Sequence, residues 1–481
     1  MLRSPPAALA LRAALAKNHR LTALQQLRGI GTGLFNSNQW TGRGDYELNE
    51  KLHAFAPSSR FTGTLRGKVT FGAAVERAQG DEPRPSKVKC SFSKIEGASM
   101  NLSFSQSCRW FSALALLLAT IPSLHAQQTS TTAERWTEAQ ANAWYVQQPW
   151  PVGADFLPST AINELEMWQA DTFDPATIDR ELGWAEAIGM NTMRVFLHNL
   201  LWEQDPKGFE HRIDAFLAIA ARHHICPVFV LFDSCWEPNP KLGPQHPPIP
   251  GVHNSGWVQA PGTEVLSDPA QYPHLESYVK GVVGAFANDP RILAWDLWNE
   301  PDNGSDSSYA RGDPKNKNQI ILGLLPQVYA WSRAAHPTQP LTSGLWHGDW
   351  TSLATMPPLA RIQVEQSDVI SFHDYGWPET FEHHVKLLQQ FHRPIICTEY
   401  MARNIGSTFD TILPIARQYR VGAINWGLVA GKSQTWIPWD SWQRPYVSDQ
   451  PAVWQHDVFH PDGTPYRQRE VEIIRTLTSG K

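Results

Sequence analysis

The chain predicts an α/β fold, a closed (β/α)8 TIM barrel. Three observations lead there. Eight short apolar stretches that read as strands alternate with helical stretches through the second part of the sequence, the pattern of parallel strands joined by crossover helices. Ile292 to Pro301, ILAWDLWNEP, reads as a buried strand stopping at a carboxylate preceded by an amide. Pro394 to Glu399, PIICTE, is a second strand that stops at a glutamate. A β/α barrel gathers the C-terminal ends of its strands around one pocket, so the two glutamates share it.

The predicted strands are Trp150 to Phe156, Thr192 to His198, Pro227 to Phe232, Ile292 to Trp298, Leu341 to Leu345, Val369 to His373, Pro394 to Thr398 and Val421 to Trp426. Helical periodicity fills most gaps between them: Pro175 to Ile188, Ile213 to His224, Leu275 to Ala287, Ile320 to Ala335, Thr380 to Phe391 and Thr411 to Tyr419. A last helix, Arg467 to Leu477, closes the set. Eight strands with crossovers suit a barrel better than an open sheet. Two long loops follow strands and so belong to the face that carries function. One, Ser234 to Thr263, is rich in Pro; the other, Lys432 to Trp454, carries Trp436, Trp439, Trp442 and Trp454.

The region before the barrel has another composition. Residues 1–99 hold 15 Lys/Arg against 7 Asp/Glu, a net of +8, whereas residues 100–481 hold 26 against 39, a net of −13. One Trp, Trp40, falls in the first region and 19 fall in residues 127–481. Between them, from Met100, lie a positive Arg109, an apolar run of 12 residues from Trp110 to Ile121, and Leu124-His125-Ala126 as a small-residue cleavage site. A run that short does not span a bilayer, which takes roughly 17 to 25 residues, but it has the layout of a secretory signal. The expected organisation is therefore a non-native extension from a misassigned start (1–99), a signal peptide (100–126) and a catalytic barrel (127–481). The location expected is secreted or periplasmic. Cys226, Cys235 and Cys397 remain in the barrel, without CxxC or metal-ligand spacing.

Side chains alternate along a strand, so Arg194 and His198 share one face, as do His373 and Tyr375, Cys397 and Glu399, and Ile424 and Trp426. The pocket then holds Arg194, Asn299, Glu300, His373, Tyr375, Glu399 and Trp426. Two carboxylic acids in one pocket are what glycoside hydrolysis requires, one as proton donor and one as nucleophile or base. Structural readings stand beside these. Arg194 alone suits a core ion pair, and His198 suits a hydrogen-bonded core residue as well as a sugar contact. Glu164 and Glu166 after the first strand suit a solvated loop or a subsite. Trp436, Trp439 and Trp442, large aromatics on a loop, suit sugar platforms.

Arg at the end of the second strand, Asn-Glu-Pro at the fourth, His-x-Tyr at the sixth, Glu at the seventh and Trp at the eighth resemble clan A glycoside hydrolases. Glycoside hydrolase family 5, the cellulase-like enzymes, is the nearest, over roughly Trp136 to Leu477. The resemblance implies Glu300 as general acid/base, its pKa raised by the charge of Glu399, and Glu399 as an ionised nucleophile held by Arg194 and Tyr375. It implies Asn299 on the sugar 2-hydroxyl, Trp426 beneath the sugar, and His373 orienting the acid/base or the sugar. His198, Trp436 and Trp439 are expected further substrate contacts. The family commonly carries a His at the end of the third strand, where this chain has Asp233, Cys235 and Trp236 in FVLFDSCWEP.

No Gly-rich phosphate loop, zinc spacing or basic stripe appears in residues 127–481, and their negative charge disfavours polyanions. The expectation is a monomeric retaining β-glycosidase acting on β-glucan, mannan, xylan or a β-linked side chain. It requires no cofactor or metal, and binds carbohydrate but neither nucleic acid nor membrane. The rival is a carbohydrate-binding barrel without catalysis.

Overall fold

A computed structural model describes residues 46–49, 52–54, 134–304 and 312–479. The signal-like segment 100–126 and nearly all of residues 1–99 lie outside them. The chain divides into two compact units, Met1–Thr120 and Ile121–Lys481. In the first, Tyr46–Asn49 and Leu52–Ala54 form an antiparallel pair.

The second unit is the (β/α)8 barrel. Its strands are β1 Val152–Asp155, β2 Thr192–Phe196, β3 Val228–Val230, β4 Ala294–Asp296, β5 Leu341–Thr342, β6 Ile370–His373, β7 Ile395–Glu399 and β8 Gly422–Trp426. All pairings are parallel, each strand lies beside its sequence neighbours, and β8 pairs with β1. A bridge between Leu345 and Phe372, with Leu345 N donating to Ser371 O at 3.0 Å, joins β5 to β6 and completes the ring.

The crossover helices are α1 Pro175–Ala187, α2 Pro206–Arg222, α3 Tyr272–Ala285, α4 Lys317–Ala334, α5 Pro358–Gln366, α6 Pro378–Leu388, α7 Phe409–Gln418 and α8 Gln468–Thr478. Four of them (α1, α2, α5 and α6) start at a proline, where the missing N–H costs nothing and the fixed φ is already helical. Asp174 and Asp205 cap α1 and α2 by accepting the backbone N–H three residues on. In α7 the buried set Phe409, Ile412, Leu413 and Ala416 follows the helical period and turns one stripe to the sheet. Helix α5 has no counterpart in the sequence prediction. Its nine residues include Arg361, Gln363, Glu365 and Gln366, too polar and short a stretch to show a clear period.

Two further features position the site. An extra helix, Glu138–Gln147, closes the end where the strands begin: Tyr145 packs with Val228, Ala294, Ile396 and Ile424, and its hydroxyl donates to Arg420 O at 2.8 Å. At the other end the loops after β3 and β8 grip each other. Asn254 N donates to Ser433 O at 2.9 Å, His253 N to Ser441 Oγ at 2.9 Å and Tyr446 N to Gly251 O at 2.8 Å. Trp236 stacks on Trp442 with ring centres 5.0 Å apart. Gly251 needs its glycine, since at φ +73° any Cβ would meet the Tyr446 backbone at 2.5 Å.

Candidate active site

Register sets the height of each side chain. Trp426 pairs with Asp155 and Asp155 with Arg194, so three adjacent strands deliver these residues at one level. A register shift between Phe372 and His373 brings His373 opposite Glu399.

Arg194 is fully buried and spends its guanidinium on four acceptors. Nη1 donates to Asp155 Oδ1 and Glu399 Oε1, both at 2.8 Å, Nε to Asp296 Oδ2 at 3.0 Å, and Nη2 to Asn299 Oδ1 at 2.6 Å. Glu399 Oε2 accepts from the Tyr375 hydroxyl at 2.8 Å. Glu300 Oε1 lies 2.8 Å from His373 Nδ1, and Oε2 accepts from Asn303 Nδ2 at 2.6 Å and the Cys235 thiol at 3.4 Å. Glu300 itself sits at φ +41°, a left-handed conformation that a non-glycine residue adopts at a cost. One ligand-type atom from each of Glu300, His373 and Glu399 lies within 4.8 Å of the others, the one such group of His, Cys, Asp or Glu among the described residues. A cation there would compete with the Arg194 guanidinium, already bonded to Glu399.

Burial pushes the Glu300 carboxyl up, against the pull of Asn303, Cys235 and Arg194, with Asp302 adding to the rise. The sequence reading credited this rise to the charge of Glu399; desolvation is the leading cause, and Glu399 is not among the main ones. Burial also raises Glu399, while His373, Arg194 and the Tyr375 hydroxyl pull it back toward the ionised form. His373 is held down at about 4 by burial, so its ring is neutral. Burial raises Asp155 well above the usual carboxylate range, opposed first by Arg194.

The structure thus brings together Arg194, Asn299, Glu300, His373, Tyr375 and Glu399, with Trp426 one strand away against Phe196 and Trp257 at 5.8 and 5.6 Å. Trp439 adjoins them, its ring edge-on to Tyr375 at 5.0 Å. His198 does not join them. It is buried, Nε2 meets Gln259 O at 3.0 Å and Nδ1 accepts from Leu200 N at 3.1 Å, which leaves no ring nitrogen for a sugar. Trp436 instead packs on Trp454, which stacks on Tyr466. Glu164 is 1% exposed, not solvated. The three barrel cysteines are free thiols.

At the third strand, Asp233 Oδ1 accepts from Asn299 Nδ2 at 2.9 Å and Oδ2 from Trp257 Nε1 at 2.5 Å, and burial raises it to about 6. Asp233 therefore fixes the Asn299 amide, and Cys235 touches Glu300. Sequence reasoning missed Asn303, Asp155 and Asp296. For Asn303 the available signal was its place three residues after Glu300; for Asp155, its place at the end of β1.

The description Cellulase (glycosyl hydrolase family 5) matches residues 249–444, a span containing Asn299, Glu300, His373, Tyr375, Glu399 and Trp426. The chain resembles glycosyl hydrolase family 5. Arg194 lies outside the match. No curated protein matches significantly. Among solved structures, a GH5_18 variant from Streptomyces cattleya in complex with Manb1-4GlcNAc is 13% identical, over 69% of this chain and 81% of that one, with a TM-score of 0.48. The exo-beta-1,4-mannosidase Op5Man5 from an Opitutaceae bacterium is 18% identical over 69% and 60%, with a TM-score of 0.45. The endo-beta-1,4-mannanase from Thermotoga petrophila is 12% identical over 70% and 77%, with a TM-score of 0.44. Among the described residues no helix is long and apolar enough to cross a membrane.

Proposed function

We propose that the protein is a retaining β-glycoside hydrolase that cleaves β-linked oligosaccharide or polysaccharide by double displacement. The observation that carries this is the placement of Glu300 and Glu399, whose nearest oxygens lie within 4.8 Å. That spacing favours direct attack by a carboxylate; inverting enzymes hold their carboxyl groups roughly 6.5 to 9.5 Å apart to admit a water.

In this reading Glu300, whose hold on its proton burial strengthens, gives that proton to the glycosidic oxygen. Glu399, whose two oxygens are held by Arg194 and Tyr375, attacks the anomeric carbon as the leaving group departs, forming a glycosyl-enzyme ester. Glu300, now a carboxylate, takes a proton from water, which breaks the ester and restores both residues. The Arg194 and Tyr375 bonds favour the anionic form of Glu399 against the rise that burial imposes in a dry site, where charge is costly. Asn299 Nδ2, oriented by Asp233, faces the sugar 2-hydroxyl, an interaction that strengthens toward the transition state. The signal-like segment 100–126 supports export of this enzyme.

The test is the stereochemistry of the first product, read by proton NMR before mutarotation. Retention is expected. A first product of inverted configuration overturns the mechanism.

A further inference from the structure

A cavity reaches the Arg194 cluster through Asp155 and is walled by Asp155, Phe196, Trp257, Trp426, Thr435 and Asp457. Its side of the site is fixed by the chemistry. The nucleophile Glu399 attacks the sugar that becomes the glycosyl-enzyme, and Glu300 protonates the oxygen of the departing half. Asp155 shares Arg194 Nη1 with Glu399, and Trp426 and Asp155 stand on β8 and β1, on one flank of β7. Glu300 is held from the other flank, by His373 on β6 and by Asn303. The cavity therefore belongs to the glycone, the non-reducing side of the scissile bond.

That side is walled off. Strands β3 and β8 are separated by β1 and β2, and residues of both following loops line one cavity with Asp155 of β1 and Phe196 of β2, so the loops meet over the ends of those two strands. They do meet, through the Asn254–Ser433, His253–Ser441 and Gly251–Tyr446 bonds and the Trp236–Trp442 stack. Trp257 and Thr435, one from each loop, line the cavity. A polymer threading an open cleft would have to pass through this clasp.

The cavity wall also holds an unpaired polar atom. Asp457 is 1% exposed; Oδ2 accepts from Thr435 Oγ1 at 2.8 Å, and Oδ1 has no protein partner. Gly427, at φ +79°, gives that oxygen room: a Cβ there would meet Asp457 Oδ1 at 2.6 Å. Aromatic walls with two buried carboxyl groups, Asp155 and Asp457, suit a pyranose, which offers apolar C–H faces and hydroxyl donors.

Resting on the glycosidase reading above, we infer that the loop clasp closes the glycone side beyond one terminal sugar, that hydrolysis proceeds from the non-reducing end, and that Asp457 accepts a hydrogen bond from a hydroxyl of that sugar. The experiment takes the full chain and reducing-end-labelled β-linked hexasaccharides of the mannan, glucan and xylan series, together with the matching aryl β-glycosides. The labelled product should shorten one sugar at a time from the first time points, and O-methylation of the terminal 4-hydroxyl should slow it. Labelled products of many lengths at the outset overturn the inference while leaving the glycosidase reading intact. No cleavage of any substrate, aryl glycosides included, removes both.

A double-mutant cycle tests Asp457. Asp457→Asn should raise KM for the aryl glycoside by about threefold to tenfold, the scale of one hydrogen bond, since burial pushes the Asp457 carboxyl up to about 7. One deoxy analogue of the sugar should lose as much with the unaltered protein and nothing further with the variant. Losses that add across the whole deoxy series, whatever happens to the unfolding temperature, overturn the assignment of Asp457.

Discussion

His373 Nδ1 lies 2.8 Å from Glu300 Oε1, and the same nitrogen is 3.4 Å from Glu399 Oε2, so one imidazole edge serves both carboxylates. Burial holds that ring at about 4, which makes it neutral at working pH, and the tautomer with its hydrogen on Nδ1, the nitrogen facing both carboxylates, donates to Glu300. A donor favours the charged form of its acceptor, so this bond works against the burial that raises the Glu300 carboxyl. Removing it in His373→Ala should raise the pKa of Glu300 and move the alkaline limb of the kcat/KM profile to higher pH. A pH–rate profile checks this. A limb displaced to lower pH would mean that Nδ1 accepts a hydrogen bond from the protonated carboxyl and so favours its neutral form.

The two glutamates should separate in mutants. Glu399→Ala removes the nucleophile and should abolish turnover of every substrate. Glu300→Ala should cost roughly 10² to 10⁴-fold with poor leaving groups, the usual contribution of a general acid, and far less in the first step when the leaving group is already acidic. With such a substrate it should accumulate a glycosyl-enzyme on Glu399, visible by mass spectrometry of the intact protein. Added azide should release it as the β-glycosyl azide. An α-azide, or azide rescue of Glu399→Ala in place of Glu300→Ala, would exchange the two roles.

What the sequence made legible followed from periodicity. Eight apolar stretches between helical ones gave all eight strands, and the period of two along them aimed Arg194, His373, Tyr375, Glu399 and Trp426 inward. Less was readable where the partner is far away in the chain. Asp155 and Asp296 are bonded to Arg194 across 39 and 102 residues, and a lone carboxylate in an apolar strand does not announce its cation. His198 has the correct facing but lies beyond the end of β2, where it caps Asn199–Gln204. Glu164 looks like loop polarity in sequence, yet the chain folds over it. Two of the clasp's bonds, Asn254 to Ser433 and Tyr446 to Gly251, are backbone to backbone and leave no residue signature.

Arg194 is surrounded by Asp155, Asp296 and Glu399, all buried. Removing the guanidinium in Arg194→Met strands these carboxylates, at about 3–5 kcal/mol for breaking a buried pair from one side. Burial places the folded pKa values of Asp155 and Glu399 above their unfolded ones. Such groups favour the fold below the unfolded pKa, and the contribution is lost as pH rises through the folded pKa. Loss of Arg194 raises both further, so the deficit should be largest at neutral pH and narrow on acidification. Denaturant unfolding at several pH values measures this; a deficit constant with pH would make the guanidinium a packing element.

The loop tryptophans should divide by what they touch. Trp439 is edge-on to Tyr375, whose hydroxyl holds Glu399, so Trp439→Ala removes a wall of the site and loosens a nucleophile contact. KM should rise roughly 3- to 10-fold, the worth of an aromatic contact, and kcat should fall with it because Tyr375 loses its support. Trp436 lies against Trp454, itself stacked on Tyr466 at 4.5 Å, and Arg403 covers the same Tyr466 ring at 4.9 Å. Trp436→Ala should therefore lower the unfolding free energy by about 1–3 kcal/mol, less than a fully buried Trp because the ring is only partly covered, and leave kcat and KM unchanged. Steady-state kinetics beside thermal unfolding of both variants decides between them: a rise in KM for Trp436→Ala equal to that for Trp439→Ala would return Trp436 to the substrate.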